Sequence, residues 1–498
     1  MSGYAVLLVE QNDIACGTTA ASTRLIHGGL RYLEYGEIRL VRESLAERER
    51  LLRAAPHLVQ PLRLHIPFYR GRGRPGWKIR VGLQFYDWLS WDRSLPGHER
   101  MNRDTLLNRL PTLDSVGLVG GAAYYDAQVS YPERLVVELV LDAAQSGADV
   151  HTRSRVTGLQ VDDRHVTGVS IEGESGTWLA RADTVVNAAG PWVDQVFSGS
   201  GFSRLIGGTQ GAHLIMAPFP GAPAEAVYVQ AQSDGRPFFV IPWNGLYLVG
   251  TTDFRFEGDP ATARSSAEEH QYLLEETQRI SATDQALLPY VCYAQAGVRP
   301  LPYTPGGATG AITRSHVIHR HEQVQGLYSI VGGKLTTHRA LAEDFATTWL
   351  RRRGGPRAAD TRERMFPGGM DAADQHELVA DLERQFGPSQ AARLWRVYGG
   401  RAGLISRLCA EAPETALVTG PESRVLIAEL VHALDTEFAV GLVDLIFRRT
   451  MVGLDADQGA AAVQGAAQAL VRLGIWNRSR GADELEACAA FMRRGRVR

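Results

Sequence analysis

From Glu37 to Leu58 apolar residues recur at helical spacing with no internal glycine and with proline only near the end, at Pro56. That run predicts a long amphipathic helix whose many charges form a solvated face. Shorter runs around it predict strands. Val6-Leu7-Leu8-Val9 is an apolar strand closing on Glu10, and three runs, Arg155 to Val161, His165 to Ile171 and Trp178 to Val186, alternate with turns as a small meander. Gly211-Ala212-His213 opens a second β region, in which Phe238 to Trp243 and Leu246 to Thr252 flank Asn244-Gly245, a hairpin signal. Gly297-Val298-Arg299-Pro300 follows a helical stretch, and Ala311 to Arg314 begins a return to the first region. After Gly332-Gly333 a helix through Leu350 closes that region, and Arg351 to Pro356 reads as a linker. Beyond it, amphipathic stretches such as Ser423 to Leu434 and Val440 to Thr450 predict an all-helical end.

The candidate chemistry gathers in Thr18 to Glu34. Thr18, Thr19 and Ser22 supply hydroxyls, Gly28-Gly29 lets a ligand approach the main chain, and Arg31 offers a donor fork for phosphate or carboxylate. Glu10 has the form of the acid that ends a Rossmann strand on a ribose hydroxyl. The G-x-G-x-x-G turn of such a unit stands roughly 20 residues before its acid. With the acid at Glu10, the expectation is an incomplete first βα unit and weak cofactor retention. Asn187-Ala188-Ala189-Gly190 puts small residues at a strand's carboxyl end, where a dinucleotide can come close.

Composition narrows the rest. The 498 residues allow two or three domains, and a formal net charge of -2 gives no reason to expect nucleic acid as a partner. Lys78 and Lys334 are the two lysines among 53 basic side chains, so Lys334 within Gly332-Gly333-Lys334-Leu335-Thr336 stands out. Cys16, Cys292, Cys409 and Cys488 are too far apart for a zinc motif and suit a reducing compartment, and Cys16 reads as a small buried thiol. No run approaches the roughly 18 apolar residues of a spanning helix, and no signal-peptide pattern is present. Membrane contact is therefore expected to be peripheral. Between Pro61 and Pro96, Arg70, Arg72, Arg74, Lys78 and Arg80 are interleaved with Trp77 and followed by Phe85, Tyr86, Trp88 and Trp91. Such a stretch suits an anionic bilayer surface or, equally, a helical hairpin packed on the protein body.

Six segments carry a resemblance. DIACGTTAASTRLIHGGLRYLE, VVNAAGPWV at 185–193, IPW at 241–243 with GTTD at 250–253, AGVRPL at 296–301, AITR at 311–314 and GGKLTTHR at 332–339 occur in order. Together they resemble the FAD-dependent, membrane-associated glycerol-3-phosphate dehydrogenases. The resemblance implies an α/β fold: a Rossmann-like, amino-acid-oxidase-like FAD-binding domain, an antiparallel β substrate domain and an all-helical C-terminal domain. Its implied boundaries are 1–60, 121–200 and 311–350 for FAD, 61–120 for a membrane-facing segment, 201–310 for substrate and 360–498 for the helical domain. It implies oxidation of sn-glycerol 3-phosphate to dihydroxyacetone phosphate, with electrons passed to membrane quinone by a protein lying on the cytoplasmic face of the inner membrane. A homodimer is left open. Substrate ligands are then Arg31, Tyr32, His213, Arg299, Arg314 and Lys334, with His213 as base or hydroxyl partner and Arg299 as catalytic cation. FAD contacts are Glu10, Thr18, Thr19, Ser22, Arg24, Leu25, His27, Gly28, Gly29, Val156, Ala189, Gly190, Gly333, Lys334, Leu335 and Thr336. The rivals are a soluble glycerol-3-phosphate oxidase, an amino-acid-oxidase-like flavoenzyme, and a flavin-less remnant that binds without catalysis.

Overall fold

The computed structural model describes residues 3–71, 73–92, 94–306, 309–355 and 359–497. Arg72 in the basic stretch and Pro356 at the end of the expected linker lie outside them. Strands are numbered β1 to β18 along the chain. β1 (Leu7–Val9) pairs in parallel with β6 (Asp149–His151), and β10 (Val185–Asn187) in parallel with β18 (Leu327–Val331). β17 (Val317–Arg320) adds antiparallel to the other edge of β18. The parallel pairs thus join three separated stretches of chain, in two small sheets. The meander is β7 (Arg155–Asp162), β8 (His165–Gly173) and β9 (Gly176–Arg181). The run expected from Trp178 to Val186 is in fact two strands in two sheets. Ala182 N bonds Thr167 O beside β8, whereas Val185 N bonds Gly326 O beside β18, so the chain changes partner between them.

The largest sheet holds ten strands. Its path is β15 (Phe254–Arg255), β11 (Thr209–Met216), β14 (Leu246–Gly250), β13 (Pro237–Trp243), β12 (Ala226–Gln230), β3 (Val59–Tyr69), β5 (Leu118–Val129) and β2 (Leu25–Ile26). β16 (Val291–Arg299) pairs with β11, and β4 (Glu99–Asn102) with β5. The expected hairpin is present, with Trp243 opposite Leu246 and both turn residues at positive φ, Asn244 at 54° and Gly245 at 75°. Residues 61–120 do not form a separate unit. β3 lies between β12 and β5, inside the same sheet as 209–299, because Val59, Leu64, Ile66 and Phe68 are buried there. The Gly76–Leu89 helix follows, with Leu83, Tyr86 and Leu89 inward. Burying a side chain such as Leu83 contributes roughly 1.5–3 kcal/mol.

The long helix spans Ile38–Ala54, but its charges are not all solvated. Glu47, Arg48 and Glu49 are buried. Arg48 bonds Asp126 and Glu49, and Glu47 takes the Arg339 fork at 2.7 and 2.8 Å. Helical periodicity reports which side faces the core only when the core is apolar; here it holds carboxylates and guanidinium groups. Cys16 is exposed, contrary to the buried thiol expected, because it lies on a surface turn whose neighbour Asp13 is the inward group. The expected Val440 to Thr450 helix is present over 442–449, with its second part, Leu445–Arg449, wound more widely as a π-helix. Gly297 ends a strand, β16, placed after the Ala267–Ile280 helix.

The helical end, from Ala372 to Arg493, is joined to the rest by buried ion pairs. Asp13 receives Arg449 at 2.7 and 3.0 Å, and Arg134 of the Pro132–Gln145 helix grips Glu437 at 2.6 and 2.9 Å. Both members of the Arg134–Glu437 pair are fully buried. Burial alone raises the Glu437 pKa, but Arg134, Arg401 and His432 outweigh it and hold the carboxyl down to about 2. Its stabilising contribution is therefore present above the ordinary glutamate range and lost as pH falls through that range toward 2. Glu437→Gln leaves Arg134 buried without its charge partner, at a cost of about 3–5 kcal/mol. Urea unfolding followed by circular dichroism should show that loss at pH 7 and a much smaller difference from wild type near pH 2.

Candidate active site

β11 and β16 pair with Thr209 opposite Arg299, Gly211 opposite Gly297 and His213 opposite Gln295. Opposed residues share a face of the sheet, so His213 and Arg299 lie on one face with two glycines between them. Both glycines are demanded by what lies above. A Cβ on Gly211 would overlap the Arg299 guanidinium, and one on Gly297 would sit 2.5 Å from the Ala21 Cβ. The loop from Thr18 to Gly29 can therefore lie against this face. Thr18 Oγ1 donates to Val298 O at 2.7 Å, and Thr23 Oγ1 meets His213 Nε2 at 2.9 Å.

The turn after β18 closes the loop from its other side. His27 N donates to Thr336 Oγ1 at 3.2 Å, while Lys334 Nζ donates to His27 O at 2.9 Å and Ser44 Oγ at 3.0 Å. Gly28 N donates to Tyr86 Oη at 3.0 Å and Asp126 Oδ1 at 3.2 Å. Gly29 takes φ 86° beside the Tyr32 ring, where a Cβ would overlap it. The loop is thus fixed at both ends of His27-Gly28-Gly29, with its main chain presented to the space in front.

Three guanidinium groups converge around Tyr32. Arg299 Nη1 lies 3.1 Å from Asp253 Oδ1 and Arg314 Nη2 lies 3.7 Å from Asp253 Oδ2. Arg299 also donates to Thr251 Oγ1 at 2.8 Å and Thr252 O at 3.2 Å. Arg31 bonds Tyr35 Oη at 3.3 Å and is held close by Gly310, where a Cβ would overlap it. The Tyr32 phenol feels all three arginines, although burial still raises its pKa overall. Burial raises the Asp253 pKa too, but Arg299 and Arg314 lower it more, so the carboxylate stays ionised. One carboxylate facing three guanidinium groups leaves cationic capacity unspent: Arg314 Nη1 and Arg31 Nε are buried without a partner among the described residues. Lys334 stands behind them, its ammonium 5.0 Å from the Tyr32 ring centre.

Several expected contacts take another form. The Arg24 side chain is wholly buried, forked onto Glu133 at 2.9 Å twice and stacked 4.5 Å over Trp243, so only its main chain is available to a cofactor. Val156 packs beside Leu7 and Val9, and Leu25 pairs with Gln128 in the sheet, which limits both to main-chain contact. Thr19 and Ser22 form a turn, with Ser22 Oγ accepting Arg24 N at 3.3 Å. Leu335 packs on the core. His213 is not the imidazole titrating near neutrality that its residue type suggests. Burial, then Arg299 and Arg24, bring it down to about 3, and its Nδ1 is buried without a partner among the described residues.

Three residues the sequence reading did not single out complete the site. Asp253 closes the GTTD segment and joins Arg299 to Arg314. Glu269, in the capping box of the Ala267–Ile280 helix, accepts Thr252 Oγ1 at 2.5 Å and Gln210 Nε2 at 2.9 Å, fixing the strand ends that carry Arg299 and Asp253. Asp126 is the third, and its signal was visible: the lone charge in the run 118–129, whose other residues are apolar, small or aromatic apart from Gln128. A dinucleotide cofactor fits what remains open. Glu10 sits at the carboxyl end of β1 with one oxygen on Asn12 N at 2.8 Å, Gly190 at φ 57° has open space at its Cβ position, and Gly333 adopts φ 94°.

Residues 1–348 match the family described as FAD dependent oxidoreductase, and residues 359–492 match the C-terminal domain of alpha-glycerophosphate oxidase. The chain belongs to the FAD dependent oxidoreductase family. It is 40% identical to the glycerol-3-phosphate dehydrogenase of Synechocystis sp., over 99% of this chain and 92% of that one. It is 35% identical to the aerobic glycerol-3-phosphate dehydrogenase of Escherichia coli, over 92% and 91%. The glycerol-3-phosphate dehydrogenase of Bacillus halodurans complexed with FAD superposes with a TM-score of 0.80 at 23% identity, covering all of this chain and 92% of that one, which establishes the shared fold.

Burial also pushes the Lys334 ammonium down to about 7, against the pull of Asp126, Glu43 and Glu37. Its charge is present below that pH and lost as pH rises through it. Because kcat/KM follows the free enzyme, its value for an anionic substrate should fall above about pH 7. Lys334→Arg keeps its charge at all working pH values, so its profile should stay flat to about pH 9. Steady-state kinetics across that range check both.

Proposed function

We propose that this protein oxidises sn-glycerol 3-phosphate to dihydroxyacetone phosphate. The observation that carries the reading is the trio Arg31, Arg299 and Arg314 around Tyr32, with buried N–H groups left over after Asp253 is satisfied. A phosphate monoester is nearly dianionic at neutral pH and is held best by several convergent cations. An amino-acid substrate would call for a single carboxylate clamp and a place for an amine, which this set does not favour. FAD, when bound, supplies the hydride acceptor. Glu10, the Gly28-Gly29 main chain, Gly190 and the Gly332–Thr336 turn are the groups proposed to hold it. His213 acts as a neutral imidazole that bonds the substrate hydroxyl, with its Nδ1 uncommitted and its Nε2 fixed by Thr23.

The electron acceptor in this reading is membrane quinone, reached by a surface that lies on the bilayer. On the Gly76–Leu89 helix Trp77, Val81 and Trp88 are more than 60% exposed. At about 100° per residue they fall within roughly 40° of one another, a single outward stripe. Trp91 continues it, and Arg70, Lys78 and Arg80 stand exposed beside it. Among the described residues no helix is long and apolar enough to cross a membrane. Aromatic and basic residues together are suited to the interfacial region of an anionic bilayer.

Two outcomes test this. Arg299→Ala should keep its flavin spectrum but lose about 2–4 kcal/mol of transition-state stabilisation, a fall of roughly 30- to 1000-fold in kcat/KM for glycerol 3-phosphate. Near-normal kinetics would remove Arg299 from the substrate site. Replacing Trp77, Val81 and Trp88 by Ser should move the protein off anionic vesicles and abolish quinone reduction, while turnover with a soluble dye persists. Unchanged turnover with oxygen as sole acceptor, in wild type and triple variant alike, would instead identify an oxidase.

A further inference from the structure

A cavity of about 720 Å³ lies between the Pro132–Gln145 helix and the helical C-terminal region, away from the residues of the active site. That volume is in the range of small-molecule sites, roughly 300–1,000 Å³. Leu141, Leu404 and Phe438 give it apolar walls, and Arg401, Arg407 and His432 are its cationic or basic lining. Arg401 is the unusual member. It is 93% buried, since its relative exposure is 7%. Its Nη2 donates to His432 Nε2 at 3.0 Å and lies 3.1 Å from Glu437 Oε1, while its Nε and Nη1 have no partner among the described residues.

The nearby carboxylates are already engaged. Both oxygens of Glu437 are taken by Arg134, and those of Glu138 by His57 Nε2 at 2.8 Å and Gly368 N at 3.0 Å. Burial correspondingly lowers the Arg401 pKa, with Glu437 only partly opposing it. A buried guanidinium with idle donors is costly unless an anion completes it. The cavity also meets the first turn of the Ala402–Glu411 helix, where Gly403 and Leu404 line it and no side chain caps the helix.

We propose that this cavity is a second ligand site, which binds a small organic anion with its phosphate or carboxylate head on Arg401 and Arg407 and its short apolar body against Leu141 and Phe438. None of its lining residues is among those placed in the active site above.

Octyl phosphate, octanoate, inorganic phosphate and octanol are suitable probes, titrated calorimetrically into the flavin-loaded full chain. At least one of the two amphiphilic anions should bind at one site per chain, inorganic phosphate at least tenfold more weakly, and octanol not at all. Arg401→Ala should weaken the tighter anion at least tenfold. Leu404→Glu, a change at a surface-reaching position, should do the same by setting a carboxylate against both arginines, whereas Leu404→Gln should stay within twofold of wild type. Arg299→Ala should leave this binding intact, which separates the site from any phosphate held in the active site. Binding lost in Arg299→Ala, binding within twofold of wild type in Leu404→Glu, or equal affinity for octanol would each overturn the proposal. If Arg401→Ala does not fold, the pair of Leu404 variants decides alone.

Discussion

Asp126 is the group on which the active-site geometry depends. Its carboxylate is fully buried in the middle of β5 and receives Gly28 N, the Tyr86 hydroxyl at 2.7 Å and Arg48 Nη1 at 2.9 Å. Those donors come from the glycine loop, the exposed-stripe helix and the long first helix, so one side chain holds three elements to the large sheet. Burial raises its pKa, and Arg48, Tyr86 and Gly28 offset only part of that rise by bonding the charged form. Such a group is stable in a low-dielectric interior only with every partner present. The arrangement therefore has little freedom to slide, which is what a close-approach loop needs.

The same logic recurs across the molecule. Arg24 with Glu133, Arg134 with Glu437, and Asp13 with Arg448 and Arg449 are buried ion pairs between segments distant in sequence. Apolar packing fills the sheets and the helical region, but these charged contacts determine how the pieces meet. Breaking one member leaves the other charged and desolvated, so each pair enforces a particular docking as well as contributing stability. In the active site the balance is deliberately uneven. Arg299 and Arg314 share Asp253, Arg31 stands close by, and Arg314 Nη1 and Arg31 Nε keep no partner among the described residues. Arg401 shows a similar imbalance far from that centre.

Much of the function was legible in short segments. Gly28-Gly29, Gly190 and Gly332-Gly333 could be read because a close main-chain approach leaves few residue types possible. Arg31, Arg299, Arg314 and Lys334 stood out by their segments, although arginine is the common cation of this chain. Asp253 and Glu269 were not legible as site residues, because a single acid at a strand end or a helix start has many ordinary explanations. The residue type of His213 suggests a neutral-pH titration, whereas burial and the nearby Arg299 and Arg24 remove it.

By itself the sequence determined most of the element types, the hairpin at Asn244-Gly245 and the places where the main chain must be bare. Those follow from local periodicity and from what glycine alone permits. The tertiary structure decided that residues 59–69 enter the large sheet, that Trp178 to Val186 divides between two sheets, and that Glu47, Arg48 and Glu49 turn inward. It also decided which cations meet and which proton equilibria shift. These depend on strand partners and charges supplied from hundreds of residues away, and no local pattern of polar and apolar positions encodes a partner's charge.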